Sequence, residues 1–554
     1  MLRPLLRIAL VTAVAVPGLL AQTPAPAGVP RPPAPIAPST PALLTEEADA
    51  FYRTGNFDSA RQKYQQLIQE NPKLPGAYAG LTRVYLKQKN VPLAFETISK
   101  GLQIADSPSV RVALGEVYFR QGKIAEAEHE WVDVINSGYR DARAYLGIAR
   151  VSYAISMHKR AKAMVYQAHE LDPADSDVQR YWIATFKTAD RIKFLRDYLS
   201  RASSDDVTSR ERLQRQLDYL LARAQGPKRG CRLVSTIAST ETNLIRLLHD
   251  PRHIRGYGLP VVVNGEKSEL LLDTGASGIL IDRRVAEKAG LTKLSETRIG
   301  GIGDKGESNG YMAVANSIKI GQLEFQNCPV EVLDKRSVLF DDGLIGGDVF
   351  DDFLVDIDFP KEKLRLTELP KRPEDAGRTI GLQADSDSDA SDEKPQESNS
   401  AAGAKPSPAQ SGPQDRYIAP EMKSYTQIFR FGHMLLVPTG VGAAPFKLFL
   451  LDTGAFGNSI SPEAAREVTK VHGDPNMYVK GLSGSVKNVY TADKAVIRFG
   501  HLRQPNEDIV TFDLSSVSDS AGTEVSGTLG FKTLSLLDIK IDYRDGLVDF
   551  TYKP

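Results

Sequence analysis

The tripeptide Asp-Thr-Gly occurs twice in this chain, each time at the end of an apolar run. Asp273-Thr274-Gly275 follows Leu270-Leu271-Leu272, and Asp452-Thr453-Gly454 follows Leu448-Phe449-Leu450-Leu451. The likeness runs on, with Ala276-Ser277-Gly278 after the first copy and Ala455-Phe456-Gly457 after the second. One aspartate beyond a buried strand reads as a cap or turn residue. Two in equivalent settings are what a reaction needs when two carboxylates share one proton.

The flanks carry the same duplication. Gly343-Leu344-Ile345-Gly346 precedes Val355-Asp356-Ile357-Asp358-Phe359, and Gly527-Thr528-Leu529-Gly530 precedes Ile539-Lys540-Ile541-Asp542-Tyr543, both at an offset of 184 positions. The Asp-Thr-Gly offset is 179, so a small length change separates the halves. Midway, each half has a Gly-rich tip and then a strand: Ile299 to Gly303 before Ser317 to Gly321, and Lys480 to Gly484 before Ala495 to Gly500. This reads as an internal duplication of one all-β unit. The plainer alternative, two unrelated sheet domains sharing a chance tripeptide, has to treat every matching offset as coincidence.

These residues resemble aspartic peptidases of the retropepsin and pepsin type, over about residues 231–369 and 416–554. The resemblance implies two all-β retropepsin-like barrel lobes (an acid-protease fold) that meet about a pseudo-two-fold axis. It implies Asp273 and Asp452 as the catalytic pair, with Thr274 and Thr453 interlocked beneath them. Gly275 and Gly454 would let each backbone pass close to the partner lobe, and Gly346 and Gly530 would lie under the aspartate loops. Gly301, Gly303, Gly481 and Gly484 are the flap candidates.

The chemistry follows from the residues. Two adjacent carboxylates cannot both ionise cheaply, so one takes a proton from water while the other donates to a peptide carbonyl. The pair titrates as a unit, and the sequence does not assign the roles. No metal or cofactor is required: the chain has no His-Glu-x-x-His, no clustered Cys and no Gly-x-Ser-x-Gly. The copies differ at Ser277 against Phe456, and at Gly347-Asp348 against Phe531-Lys532. These differences read as specialisation of the lobes, with a weakened second lobe as the alternative.

Ahead of the duplicated half lies a helical repeat. Small residues recur in pairs: Ala48 and Ala60, Thr82 and Ala94, Gly115 and Ala127, Ala149 and Ala161. The second members are spaced 34, 33 and 34 apart, with Phe51, Tyr64, Tyr85, Ile98, Tyr118 and Trp131 beside them. The pattern resembles tetratricopeptide repeats, an all-α solenoid over 42–225 whose last part, 174–225, is a degenerate fifth unit or a capping pair. Phe51, Tyr118 and Trp131 read as inter-helix core. Such repeats present a concave surface for a protein partner. No candidate catalytic group lies among them, so a chain beginning near Gly226 is expected to fold and cut short peptides by itself.

Arg3 and Arg7 followed by the apolar stretch Ile8 to Val16 read as a signal peptide, 1–21, and residues 22–41 as a Pro/Ala-rich linker. The expected destination is the bacterial periplasm or the exterior. An uncleaved N-terminal anchor is the minority reading, and no later segment qualifies as a membrane span. Cys231 and Cys328, the two cysteines, read equally as one disulfide or two buried thiols. Basic and acidic residues balance at 69 each, which gives no argument for a nucleic-acid partner. Residues 370–415, rich in Asp, Ser and Pro, read as a solvated tether long enough for the lobes to pair within one chain. The expectation is an exported aspartic endopeptidase acting on a peptide or protein substrate, with the repeats docking substrate or partner. The alternative is a non-catalytic peptide-binding or scaffold protein built on the same lobes.

Overall fold

The computed structural model describes residues 40–201, 207–225, 231–250 apart from 236 and 238, 253–333, 342–373, 416–473 and 477–553. The signal segment, nearly all of the Pro/Ala linker and most of the segment between the lobes lie outside them.

Helices run in antiparallel pairs from Thr40–Arg53 to His158–Leu171, followed by Ser176–Ala184, Thr188–Arg201 and Val207–Gln225. The small residues of the repeat sit where helices touch: Ala60, Ala94, Ala127 and Ala161 are fully buried. Trp131 is also fully buried, lies over Gly115 and Gly147, and donates its indole N–H to the Val112 carbonyl at 3.0 Å. A Cβ at either glycine would stand less than 3 Å from that ring, which is why the repeat carries glycine there. Tyr118 and Phe51 pack at cluster edges, half-buried, while Tyr64 and Phe119 are buried rings of the same clusters.

Each duplicated half folds around its own sheet, nine-stranded in the first and eight-stranded in the second among the described residues. The first sheet contains the hairpin of His253–Val263 and Glu266–Asp273, turned by Asn264 and Gly265, both at positive φ. A disulfide joins Cys231 to Cys328, pinning the start of this half to the strand Leu323–Leu333.

A third, six-stranded sheet is shared between the halves. Its central strands, Phe353–Asp358 and Leu537–Asp542, pair antiparallel with Leu354 opposite Asp542, Asp356 opposite Lys540 and Asp358 opposite Asp538. Under the 184-residue offset of the duplication, each of these pairs maps onto another, and Asp356–Lys540 maps onto itself. The register therefore places a pseudo-two-fold axis through that pair.

The apolar runs before each aspartate are hydrophobic on both faces because both faces are covered. Phe449 and Leu451 enter the core common to the two lobes, while Leu448 and Leu450 point the other way into a cluster with Phe119, Trp131, Ile148 and Val151 of the helical layer. Met434, Leu436 and Val525 complete that cluster. Hydrogen bonds reinforce it: Thr523 Oγ1 donates to the Phe119 carbonyl at 2.6 Å and the Glu524 N–H to the Arg120 carbonyl at 3.0 Å. At the other end Arg223 reaches the Asn327 carbonyl at 3.0 Å. The expectation that the repeats are separable is corrected by this arrangement: they share a core with the second lobe, and removing them would bare its leucines to water.

Candidate active site

Strand pairing brings the aspartates to equivalent places. Glu266–Asp273 runs parallel to Gly343–Gly346 with Asp273 opposite Gly346; Lys447–Asp452 runs parallel to Gly527–Gly530 with Asp452 opposite Gly530. Gly346 and Gly530 thus lie directly beside the aspartates. A Cβ on Gly530 would stand 2.1 Å from the Gly457 carbonyl oxygen, and one on Gly346 2.5 Å from that of Ala276.

The two loops meet across the pseudo-two-fold axis. Thr274 N–H donates to Thr453 Oγ1 at 3.0 Å, and Thr453 N–H to Thr274 Oγ1 at 3.1 Å. Each hydroxyl then donates to the strand of the other lobe, at the Leu451 and Leu272 carbonyls, both at 2.8 Å. Both threonines are buried. Above them, Gly275 faces the Asp452 carboxyl and Gly454 faces that of Asp273, so closely that a Cβ would come within 2.7 and 2.4 Å of the respective Cγ atoms.

Asp273 and Asp452 are in mutual hydrogen-bonding reach. Burial holds the Asp273 carboxyl well above the usual carboxylate range, and the neighbouring Asp452 charge pushes it further. Burial also raises Asp452, but N–H groups of Gly454 and Ala455 donate to its Oδ1 at 3.0 and 2.8 Å and favour its ionised form. Asp273 accepts from the Gly275 N–H at 2.9 Å. The Ala276 N–H favours the ionised form of Asp273 as well, so the two carboxyls share one proton and titrate as a unit.

The four flap-candidate glycines come together where the tips of the two lobes meet. Lys305 N–H donates to the Ser483 carbonyl at 2.9 Å, Ser483 N–H to the Ile302 carbonyl at 3.0 Å, and Gly301 N–H to Ser483 Oγ at 3.0 Å. Gly481 lies so close to Ile302 that a Cβ would sit 2.1 Å from its carbonyl oxygen, and Gly303 adopts φ +143° against the Ser483 backbone. Flap side chains cross over. Leu482 packs with Leu271, Leu280, Ile299 and Leu344 of the first lobe, and Ile302 with Val486, Val489 and Phe512 of the second.

Residues not singled out by the duplicated motif brace the loops. Asp348 accepts from Ser277 Oγ at 2.9 Å and from the Gly278 N–H at 2.8 Å. In the second lobe Asn458 does the bracing, accepting from the Gly530 N–H at 2.9 Å, while Phe456 stands exposed. Asn458, Ser459 and Thr528 stand at the duplication offsets from Ile279, Leu280 and Leu344. That run of polar-for-apolar exchange is the signal that marks them. Ser459 and Thr528 hydrogen-bond through their hydroxyls at 2.8 Å, so the floor beside Asp452 is polar where that beside Asp273 is apolar. Gly347 against Phe531 has a packing cause. A Cβ at Gly347 would meet the Tyr543 hydroxyl at 1.9 Å, whereas Phe531 stacks edge-on against Phe359, the counterpart of Tyr543. His433, from the second lobe, donates to the Gly275 carbonyl; burial pulls its pKa below the usual imidazole value, while the Asp348 charge pulls it back.

With this geometry in view, the first lobe is similar to known proteins. Residues 259–349 match the aspartyl protease family. The helical layer matches the tetratricopeptide repeat family over 45–109 and 112–175. The UBA domain-containing protein Mud1 of Schizosaccharomyces pombe is 30% identical over 153 residues, which cover 24% of this chain. The chain spans less than half of that relative, 45% of its length. Among solved structures, the aspartic proteinase from Irpex lacteus is similar at 12% identity with a TM-score of 0.33, over 57% of this chain and 98% of its own. The second half lies outside that family match and is related to the first lobe by the internal offsets. Among the described residues no group of His, Cys, Asp and Glu is arranged to hold a metal ion, and no helix is long and apolar enough to cross a membrane.

Proposed function

We propose that this chain is an aspartic endopeptidase that hydrolyses peptide bonds with a water activated by the Asp273/Asp452 pair. The observation that carries this reading is the mutual approach of the two carboxyls on loops locked by Thr274 and Thr453. In the proposed reaction the ionised Asp452 takes a proton from the water as its oxygen bonds to the carbonyl carbon. Asp273 gives its proton to the carbonyl oxygen, forming a neutral tetrahedral diol. On collapse the C–N bond breaks, Asp452 passes its proton to the leaving nitrogen, and a diol hydroxyl returns one to Asp273. The atoms balance, and the pair ends as it began.

The paired flaps would exclude water from the cleft and must part to admit substrate. The N-terminal basic and apolar segment supports export to the periplasm or the exterior. The helical repeats would dock substrate or partner. A second reading, a non-catalytic peptide-binding protein, is favoured by the exposed Phe456 beside Asp452 and by flap tips tied to each other. Incubating the purified chain with a mixed peptide library across acidic to neutral pH separates the two: new termini support the peptidase, and saturable binding without cleavage supports the binder.

A further inference from the structure

The hairpin of Phe429–Phe431 and Met434–Val441 belongs to the second lobe, yet its tip reaches the first. Phe431 pairs with Met434, so Gly432 and His433 form a two-residue turn, with Gly432 at φ +63°. This turn carries the His433 imidazole to the Asp273 loop, where it donates to the Gly275 carbonyl.

Gly275 is the residue set between the two carboxyls. Its N–H donates to Asp273 Oδ1 at 2.9 Å, and a Cβ on it would come 2.7 Å from the Asp452 Cγ. Thr274, one residue earlier, is locked to Thr453. His433 supplies a second hold, one residue later and on the carbonyl side.

The hairpin is itself gripped from two directions. Phe429, Phe431, Met434 and Leu436 enter the cluster that contains Phe119, Trp131, Ile148 and Val151 of the helical layer. The Phe431 ring stands edge-on to Phe119, with centroids 6.0 Å apart. Arg430 donates to the Tyr543 carbonyl at 3.0 Å, to the Gly432 carbonyl at 2.9 Å and to Asp351 of the first lobe at 3.3 Å. A shift of the helices against the second lobe would therefore move the tip. From Phe119 to Gly275 each step is a ring contact, a tight turn or a hydrogen bond, the kinds of link that carry coupling between sites.

The charges that face His433 are the Asp348 carboxylate of the first lobe and the Arg430 guanidinium of its own hairpin. Burial and Arg430 favour the neutral ring, and Asp348 opposes them. With its pKa held below the usual imidazole value, the ring is uncharged at neutral pH and serves as a hydrogen-bond donor.

We propose that His433 is a positioning residue: it holds the Gly275 carbonyl and so couples the seating of the helical layer to the spacing of Asp273 and Asp452. Its effect on turnover rests on the peptidase reading; its effect on the loop does not.

The experiment compares His433→Leu, His433→Gln and Phe431→Ala in the full chain. Hydrogen exchange read by mass spectrometry follows segments 270–278 and 449–457, and steady-state kinetics follow a cleaved peptide. His433→Leu fills the space without a donor, and should speed exchange about fivefold over 270–278 with little change over 449–457. Its kcat should fall about tenfold with KM within about twofold, the mark of misplaced carboxyls rather than lost substrate contacts. His433→Gln can still donate to Gly275 and should recover most of both losses. Phe431→Ala weakens the grip of the helices on the hairpin and leaves its tip intact; it should loosen 270–278 as His433→Leu does. If Phe431→Ala does not fold, Phe431→Leu takes its place. Wild-type exchange in folded His433→Leu, or His433→Gln as impaired as His433→Leu, overturns the positioning role. So does a raised KM with kcat unchanged, because His433 would then act on binding. An unchanged loop in the folded Phe431 variant overturns the coupling to the helices. A wild type that cuts no peptide but shows the expected exchange changes sinks the peptidase reading and leaves the hold on Gly275 standing.

Discussion

Thr274 and Thr453 each accept a hydrogen bond from the other's backbone N–H, at 3.1 and 3.0 Å, and each donates its hydroxyl to the opposite lobe. Four buried bonds thus join two loops 179 residues apart in sequence, directly beneath the carboxyls. Replacing Thr453 by Val keeps the shape but removes a donor and an acceptor. It leaves the Thr274 N–H and the Leu272 carbonyl unpaired, at about 1–3 kcal/mol each. The expected outcome is a clearly lowered unfolding midpoint by calorimetry, with peptide turnover falling further than stability alone explains.

Gly454→Ala tests the close approach of the lobes. Its Cβ would stand 2.4 Å from the Asp273 Cγ, and the loop backbone has no free end to swing away. A displacement of the carboxyl by about an ångström is expected to lower kcat about a hundredfold. Gly457→Ala, three residues on with open space for a Cβ, should keep near wild-type activity.

The interlobe sheet carries a pH dependence of definite sign. Burial and the adjacent Asp538 raise Asp356 to about 6, and burial and Asp545 raise Asp542 to about 6. A carboxyl whose folded pKa lies above its unfolded value destabilises the fold once both states are ionised, and this penalty fades as pH falls toward the unfolded value. Thermal midpoints should therefore rise between about pH 7 and about pH 5, and Asp356→Asn should flatten that rise. A midpoint that falls steadily over this range, with no effect of Asp356→Asn, would contradict the assignment.

The helical layer is expected to be needed for stability. Leu450→Ala, at a 4% exposed position between the second lobe and the helices, should cost about 2–5 kcal/mol. A chain beginning at residue 226 should be recovered mainly as aggregate, because Met434, Leu436, Leu448 and Leu450 lose their cover. Recovery of that shorter chain as a soluble monomer with the full-length melting temperature would refute the shared core.

Much of this was legible in the sequence where repetition carried the signal. The 34-residue spacing of small residues located the helix contacts, and the two offsets located both aspartate strands and the strands of the shared sheet. Leu448 and Leu450 were legible only as apolar: nothing in their run says that the second face packs on Phe119 and Trp131, in helices far earlier in the chain. Asn458 and Asp348 brace equivalent loops by different hydrogen bonds, so comparing the copies for sameness passes over both. The pairing of the flap tips depends on how two lobes close in space, which neither copy of the motif encodes.

Cleavage by wild type, Asp273→Asn, Asp452→Asn and the double variant tests the central claim most directly. The carboxyls act as one unit, so each single change should abolish peptide cleavage and the double should be no worse. Wild-type activity should lie on the acidic side and fall with rising pH as the proton shared by the Asp273/Asp452 pair is lost. All three variants should remain folded, since Asn keeps the shape and removes a buried acid. Equal cleavage by folded Asp452→Asn and wild type would contradict the two-aspartate mechanism, as would a folded wild type that cuts no peptide at any pH.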